Sequence, residues 1–286
     1  MTTIETIAQE HCTTTEGPLW NDRQQALCWV DIPLGRLYRW SEKSGVELVR
    51  EGPVVGGYTF QQDDSILLFG DRGRISILRD GGETVLRESL VEEQGSRFND
   101  VIADPEGRVF CGTMPDGNRP GRLWRMDPDG SLTVVLEDAG LSNGMGFTPD
   151  LSGFYHTDSA KGTITAFDYD RRTGAISNPR TILRIPSNEG VPDGMTVAAD
   201  GTIWSGIWDG HVLRHLTSAG EELGRVRFPA PKVSSITFGG PDWSEAYVTL
   251  AGGDDPATQG DAAGSVVRVN LGATGRPPFR SAIGLH

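Results

Sequence analysis

"SNGMGFTPDLSGFYHTDSAKGTITAFDYD", residues 142–170, admits two incompatible readings. Its first three residues complete Gly140-Leu141-Ser142-Asn143-Gly144, a formal match to the G-x-S-x-G nucleophile elbow of serine hydrolases. An elbow needs a strand, a sharp turn and then a helix. Here "MGF" runs into a Thr-Pro-Asp turn, then "GFYHT", a second turn and a third run, "TITAFDYD". Apolar runs this short, separated by Gly, Pro, Asp and Ser, read as three antiparallel strands joined by tight turns. Ser142 is therefore expected to be a structural residue at the start of a strand.

The same plan recurs along the chain. It is seen in "TEGPLWNDRQQALCWVDIPLGRLYRW" from Thr15, "GGYTFQQDDSILLFGDRGRISILRD" from Gly56 and "FNDVIADPEGRVFCGTM" with "GRLWRMDPDG" from Phe98. It returns in "PDGMTVAADGTIWSGIWDGHVLRHL" from Pro192 and "SSITFGGPDWSEAYVTLAGG" with "GSVVRVN" from Ser234. Taking Glu16, Tyr58, Asn99, Asn143, Asp193 and Ser235 as equivalent gives spacings of 42, 41, 44, 50 and 42 residues. A period of roughly 40–50 residues with several strands per unit is the signature of propeller blades. The expected architecture is all-β: a six-bladed β-propeller of four-stranded antiparallel blades around a central channel, forming one domain over residues 1–286. The fourth strands are drawn from connecting runs such as "GVELVREG" and "ISNPRTILRIP". "TIETIAQE" is expected to pair with the last blade and so remove the free edges.

Composition narrows the function. A net charge of −13 disfavours nucleic acid and anionic membranes as partners, since both would be repelled. No apolar run approaches the roughly 20 residues of a membrane span, and no secretory signal is visible, so a cytoplasmic location is expected. Three lysines stand against 23 arginines, a skew that leaves genome composition and salt adaptation both open. Three cysteines without a C-x-x-C pair argue against a disulfide framework and a thiolate metal site. Cys28 and Cys111, in strand-like runs, are expected to be buried apolar residues.

In a propeller the innermost strands converge on the axis. Glu16, Asn99, Asn143 and Asp193 place oxygen donors where a packed core would hold Val or Ala. Buried without partners, such groups cost several kcal/mol, and the two carboxylates repel one another. A cation relieves both penalties. With no His or Cys in the set, Ca²⁺, Mg²⁺ and Mn²⁺ fit best, and Zn²⁺ or Fe²⁺ fit less well.

"EGPLW", "SRFNDVIADPEGRVFCGTM", "LSNGMGFTPD", "FYHTDS", "VPDGM" and "ITFGGPDWSEAYVT" closely resemble the SMP-30/gluconolactonase/regucalcin family of six-bladed propellers, in order and over essentially the whole chain. The resemblance implies a metal-dependent lactonase with Glu16, Asn143 and Asp193 as the three protein ligands of one divalent ion. It implies that Arg97 and Asn99 of "RFND", with Asp100 beside them, form the substrate-binding group. One departure concerns "PDGNRP", residues 115–120, which is shorter than the lid-like segment of some relatives. Only Asp116 or Asn118 offers a replacement for the acidic contact that segment carries.

The expected reaction is hydrolysis of aldonolactones such as arabinono-, xylono- or gluconolactone to aldonic acids by a metal-activated water. Asp193 is the expected general base and Asp100 the alternative. Tyr58, Trp208, Asp31 and Asp158 are candidates for the mouth wall, with turn-stabilising roles favoured for the two aspartates. His156, His211 and His215 fall outside the channel set and are expected to be strand-surface or hydrogen-bonded residues rather than acid–base groups. The competing readings are a calcium-binding regulatory propeller without turnover and a phosphoester or aryl-ester hydrolase on the same scaffold. A small-molecule sugar lactone is the expected partner, and the oligomeric state stays open.

Overall fold

The innermost strands of six sheets, Thr15–Asn21, Val55–Phe60, Phe98–Ala103, Ser142–Phe147, Val191–Val197 and Val233–Gly239, surround a common axis. The structure is a computed structural model that describes residues 3–253 and 258–285. Each sheet has four antiparallel strands, and together they form the expected six-bladed propeller. Two short 3₁₀ turns, Val91–Glu93 and Ser187–Glu189, interrupt the succession of strands. No helix among the described residues is long and apolar enough to cross a membrane.

Five blades are made of consecutive strands. The sixth takes its outermost strand, Ile4–Ala8, from the other end of the chain, where Ile4 pairs with Val269 and Thr6 with Val267. Closing the ring in this way covers the outer edge of Ser265–Val269, which would otherwise be open to another chain. "GVELVR" and "AISNPRTILR" are outer strands, as their place between repeats implies.

Apolar faces of neighbouring blades pack against each other, so the core runs around the ring. Leu67, Phe69, Phe98, Val109, Cys111 and Trp124 join the second and third blades. Across the closure, Trp20 stacks on Tyr247 at a centroid distance of 5.4 Å. All three cysteines are free and buried, and burial pushes the Cys28 thiol up to about 12.

Two features position the centre of the ring. The first is a register shift in every innermost strand: Glu16/Leu19, Val55/Gly57, Phe98/Val101, Ser142/Met145, Pro192/Met195 and Val233/Ser235. A bulge leaves its extra residue out of the ladder and re-aims the side chain. Asn99, Asn143 and Asp193 all lie within such bulges, and Glu16 borders one. The second feature is the carboxyl-terminal segment, which crosses one end of the channel. Gly275 N–H donates to Trp243 O, Arg276 donates to the carbonyls of Phe147 and Pro149, and Arg280 reaches Asn21 and Asp22. Ser281 and Ile283 then bond to Phe60 and Gln61. Residues 276–279 form one wall of a cavity of about 410 Å³, with Gly17, Asp100, Met145, Met195 and Ser235 on its other walls.

Candidate functional site

Glu16, Asn99, Asn143 and Asp193 come together at the beginnings of four innermost strands. All four are buried. Tyr58 and Ser235, the other two members of the expected set, instead line the cavity between this polar group and the carboxyl-terminal segment. Four of the six repeat positions therefore converge as expected, and two lie deeper, because the bulge falls earlier in their strands.

The glycine after a polar residue has a steric cause. A Cβ at Gly144 would come within 2.5 Å of Met195 N, and one at Gly194 within 2.1 Å of Ser235 Oγ. Adjacent inner strands approach so closely here that "NG" and "DG" leave room only for hydrogen at the second residue.

Hydrogen bonds orient each group. Arg97 Nη1 donates to Asn99 Oδ1 at 2.7 Å and to Phe98 O at 2.9 Å. Asn99 Nδ2 donates to Ser142 O at 2.9 Å. Asn143 Nδ2 donates to Asp193 Oδ1 and, at 3.2 Å, to Ser159 Oγ. Gly17 N–H donates to Glu16 Oε2 at 2.9 Å. Asp100 accepts from Val101 N–H at 2.9 Å, and its remaining exposure opens on the cavity.

The electrostatics are those of excess buried negative charge. Burial, then the charge of Asp100, pushes Glu16 up to about 8, and Arg97 offsets only part of this. Burial, then Glu16 and Asp100, holds Asp193 well above the usual carboxylate range. Burial alone raises Asp100 to about 6. Arg97 is pushed down by burial, against the pull of Glu16 and Asp193. Glu16 and Asp193 lie close enough to share a proton, so they titrate as a pair. A cation among them would take that proton's place.

Among the described residues no three His, Cys, Asp or Glu side chains form a metal cage. The donor set here is of another kind: two carboxylates and two amides. Asn143 has both amide hydrogens engaged, and its Oδ1 accepts no hydrogen bond among the described residues. An all-oxygen set with a free amide oxygen and a proton-sharing carboxylate pair suits a hard divalent ion.

The other candidates divide clearly. Asp31 accepts from the N–H groups of Thr13 and Thr14, and Asp158 from those of Leu141 and Lys161. Both are turn residues. Asp116 caps the N–H groups of Asn118 and Arg119, and Arg119 is anchored on buried Glu93 at 2.8 Å. The short 115–120 segment is thus held by its own bonds. Trp208 lies under the Lys232 ammonium, 5.2 Å from its ring centre.

One hydroxyl, that of Ser159, escaped the sequence reading, whereas His156 and Ser142 have the structural roles expected of them. Ser142 Oγ bonds His156 Nε2 at 2.8 Å in a fully buried position, and Ser159 bridges two strands of the polar group. A Ser–His pair invites a catalytic reading, but Ser142 has no exposed surface and no substrate could reach it. The repeat held the signal. "HTDS" stands where the first blade has "WVDI", so His156 and Ser159 replace Trp29 and Ile32.

With this geometry in view, comparison with known proteins is informative. The profile described as the SMP-30/Gluconolactonase/LRE-like region matches residues 14–252. A pentonolactonase from Haloferax volcanii is 44% identical over 99% of both chains. Regucalcin from Bos taurus is 33% identical over 96% of this chain and 97% of its own. A solved structure of luciferin-regenerating enzyme superposes with a TM-score of 0.90 at 27% identity, over 98% of this chain and 99% of that one. The motifs, the six blades and these full-length similarities lead to one conclusion: the chain belongs to the SMP-30/gluconolactonase/LRE-like family.

Proposed function

We propose that the protein is a sugar lactonase, opening pentono- or hexonolactones to aldonic acids with one divalent ion held by Glu16, Asn143 and Asp193. The observation that carries this reading is the convergence of those three side chains with Arg97 and Asn99, in a chain 44% identical to a pentonolactonase along its whole length. When bound, the ion supplies Lewis acidity for a carbonyl oxygen and lowers the pKa of a water.

The chain's own residues do the rest. Arg97 spends one nitrogen on Asn99 and Phe98, and its remaining donors present a planar fork suited to vicinal hydroxyls. Asn99, its amide nitrogen tied to Ser142 O, is held at a fixed angle beside that fork. Hydrolysis joins the water oxygen to the carbonyl carbon and breaks the ring C–O bond. A carboxylate takes the water's proton and returns it to the departing ring oxygen. Asp193 is the proposed base, since Asn143 engages only its Oδ1. Asp100 is the alternative, buried nearby with one oxygen on Val101 N–H.

The test is acid release from a panel of arabinono-, xylono- and gluconolactone by metal-stripped protein reloaded with single divalent ions. Turnover restored by an ion supports the reading. Ca²⁺ binding with no turnover on any lactone would favour the regulatory alternative, for which the full-length similarity to regucalcin speaks. Activity confined to phosphoesters or aryl esters would favour the third reading.

A further inference from the structure

The Ser159 hydroxyl makes two hydrogen bonds with no freedom in their direction. Its oxygen lies 2.6 Å from Pro192 O, and a carbonyl oxygen can only accept. The single hydroxyl proton is therefore committed to Pro192. Towards Asn143, 3.2 Å away, Ser159 can only accept, so the amide must turn its nitrogen to Ser159. The same nitrogen gives its second hydrogen to Asp193 Oδ1. The Asn143 carbonyl oxygen is left facing away from both.

Pro192, which receives the Ser159 proton, is the residue before Asp193. One hydroxyl thus ties the corner after "HTD" in the fourth blade to the strand carrying Asp193 in the fifth, and orients Asn143 between them. Ser159 is only 6% exposed, so water does not compete for these bonds. Without the hydroxyl, only the Asp193 contact would hold the nitrogen face of the Asn143 amide, and the side chain would be free to swing about that single bond.

We infer that Ser159 is a positioning residue for the metal-binding group: together with Asp193 it holds the amide face of Asn143 that presents oxygen, and it fixes the Pro192–Asp193 backbone. The inference rests on the proposed ligand set. It concerns a residue that touches neither ion nor substrate.

The experiment is Mn²⁺ titration of metal-stripped protein followed by electron paramagnetic resonance, which reads binding without turnover. Ser159→Ala is expected to weaken Mn²⁺ binding by about tenfold or more, the loss usual for a partner that orients a ligand. Ser159→Thr, which keeps the hydroxyl, should stay within about threefold of the parent. If the alanine variant does not fold, Ser159→Cys, similar in size but a poor donor, takes its place with the same expected loss.

Orientation is separated from general damage by Asn143→Asp, whose carboxylate has no amide face to select. In that background Ser159→Ala should cost less than about threefold. Equal losses in both backgrounds would overturn the inference, as would full Mn²⁺ affinity in Ser159→Ala. Failure of the parent to bind any divalent ion would overturn the inference and the metal reading together. Tight Mn²⁺ binding by a parent that opens no lactone would remove the proposed activity alone, and the Ser159 variants would still decide the positioning role.

Discussion

Ser142 and His156 face each other across two adjacent strands of the fourth blade, hydroxyl to Nε2 at 2.8 Å, with His156 only 3% exposed. Desolvation, aided by the Lys161 charge, lowers the His156 pKa from 6.5 to about 4. The folded protein therefore refuses a proton that the unfolded chain accepts. Stability from this residue is complete above pH 6.5 and is lost as pH falls towards 4, to a limit of about 3 kcal/mol. Urea unfolding of Ca²⁺-loaded protein between pH 4 and 7 should show this slope, and His156→Gln should flatten it.

Glu16 gives the opposite slope in metal-stripped protein. Its pKa of about 8 exceeds the ordinary 4.5, chiefly through burial and then through Asp100. The folded state keeps a proton that the unfolded chain has released, so stability declines as pH rises from 4.5 to 8. Thermal melts at pH 5, 6.5 and 8 should show a falling midpoint. Ca²⁺ should abolish the fall, and Glu16→Gln without added ion should reduce it, leaving the part that Asp193 and Asp100 contribute.

The two candidate bases are separable by rate. Asp193→Asn should lower kcat on the best lactone by roughly 10²–10⁴, the usual contribution of a positioned base. Asp100→Asn should lower it by less than about tenfold if Asp193 carries the proton. A larger loss from Asp100→Asn than from Asp193→Asn would reverse the assignment.

Arg97→Lys keeps the charge and loses the fork. KM should rise about tenfold with a smaller change in kcat, as for one lost charged hydrogen bond of about 1.5 kcal/mol. Initial rates over a range of lactone concentration measure the split.

Gly112 lies directly against Ser142. A Cβ there would sit 2.0 Å from Ser142 Oγ and 2.5 Å from its Cβ. Gly112→Ala should destabilise the fold by about 2 kcal/mol or more through overpacking. It should also weaken Mn²⁺ binding, because the displaced strand carries Asn143. Chemical denaturation and the Mn²⁺ titration read the two effects.

The ring was legible because each blade repeats the same turn chemistry. "DPEG", "TPDLSG" and "AADG" mark the same corner in three blades, and Glu16, Asn99, Asn143 and Asp193 stood out against that regularity. Depth along the strand was harder to read. Tyr58 and Ser235 were aligned with the four because a bulge changes the count of residues without leaving a composition signal. Ser159 was passed over for a different reason. Its role lies in the direction of a proton, and that direction arises only when the fourth and fifth blades are in contact.

The closure of the sixth blade has a consequence for how the molecule is made. Glu5 and Arg268, which pair across that closure at 2.8 Å, are 263 residues apart in the chain. At about 5–20 residues per second, synthesis separates their appearance by roughly 13–50 s. For that interval the first strand is on hand before its partner exists, and an open arc of blades must wait at the ribosome with two unpaired inner flanks. The last strand to emerge is the one that turns the arc into a ring.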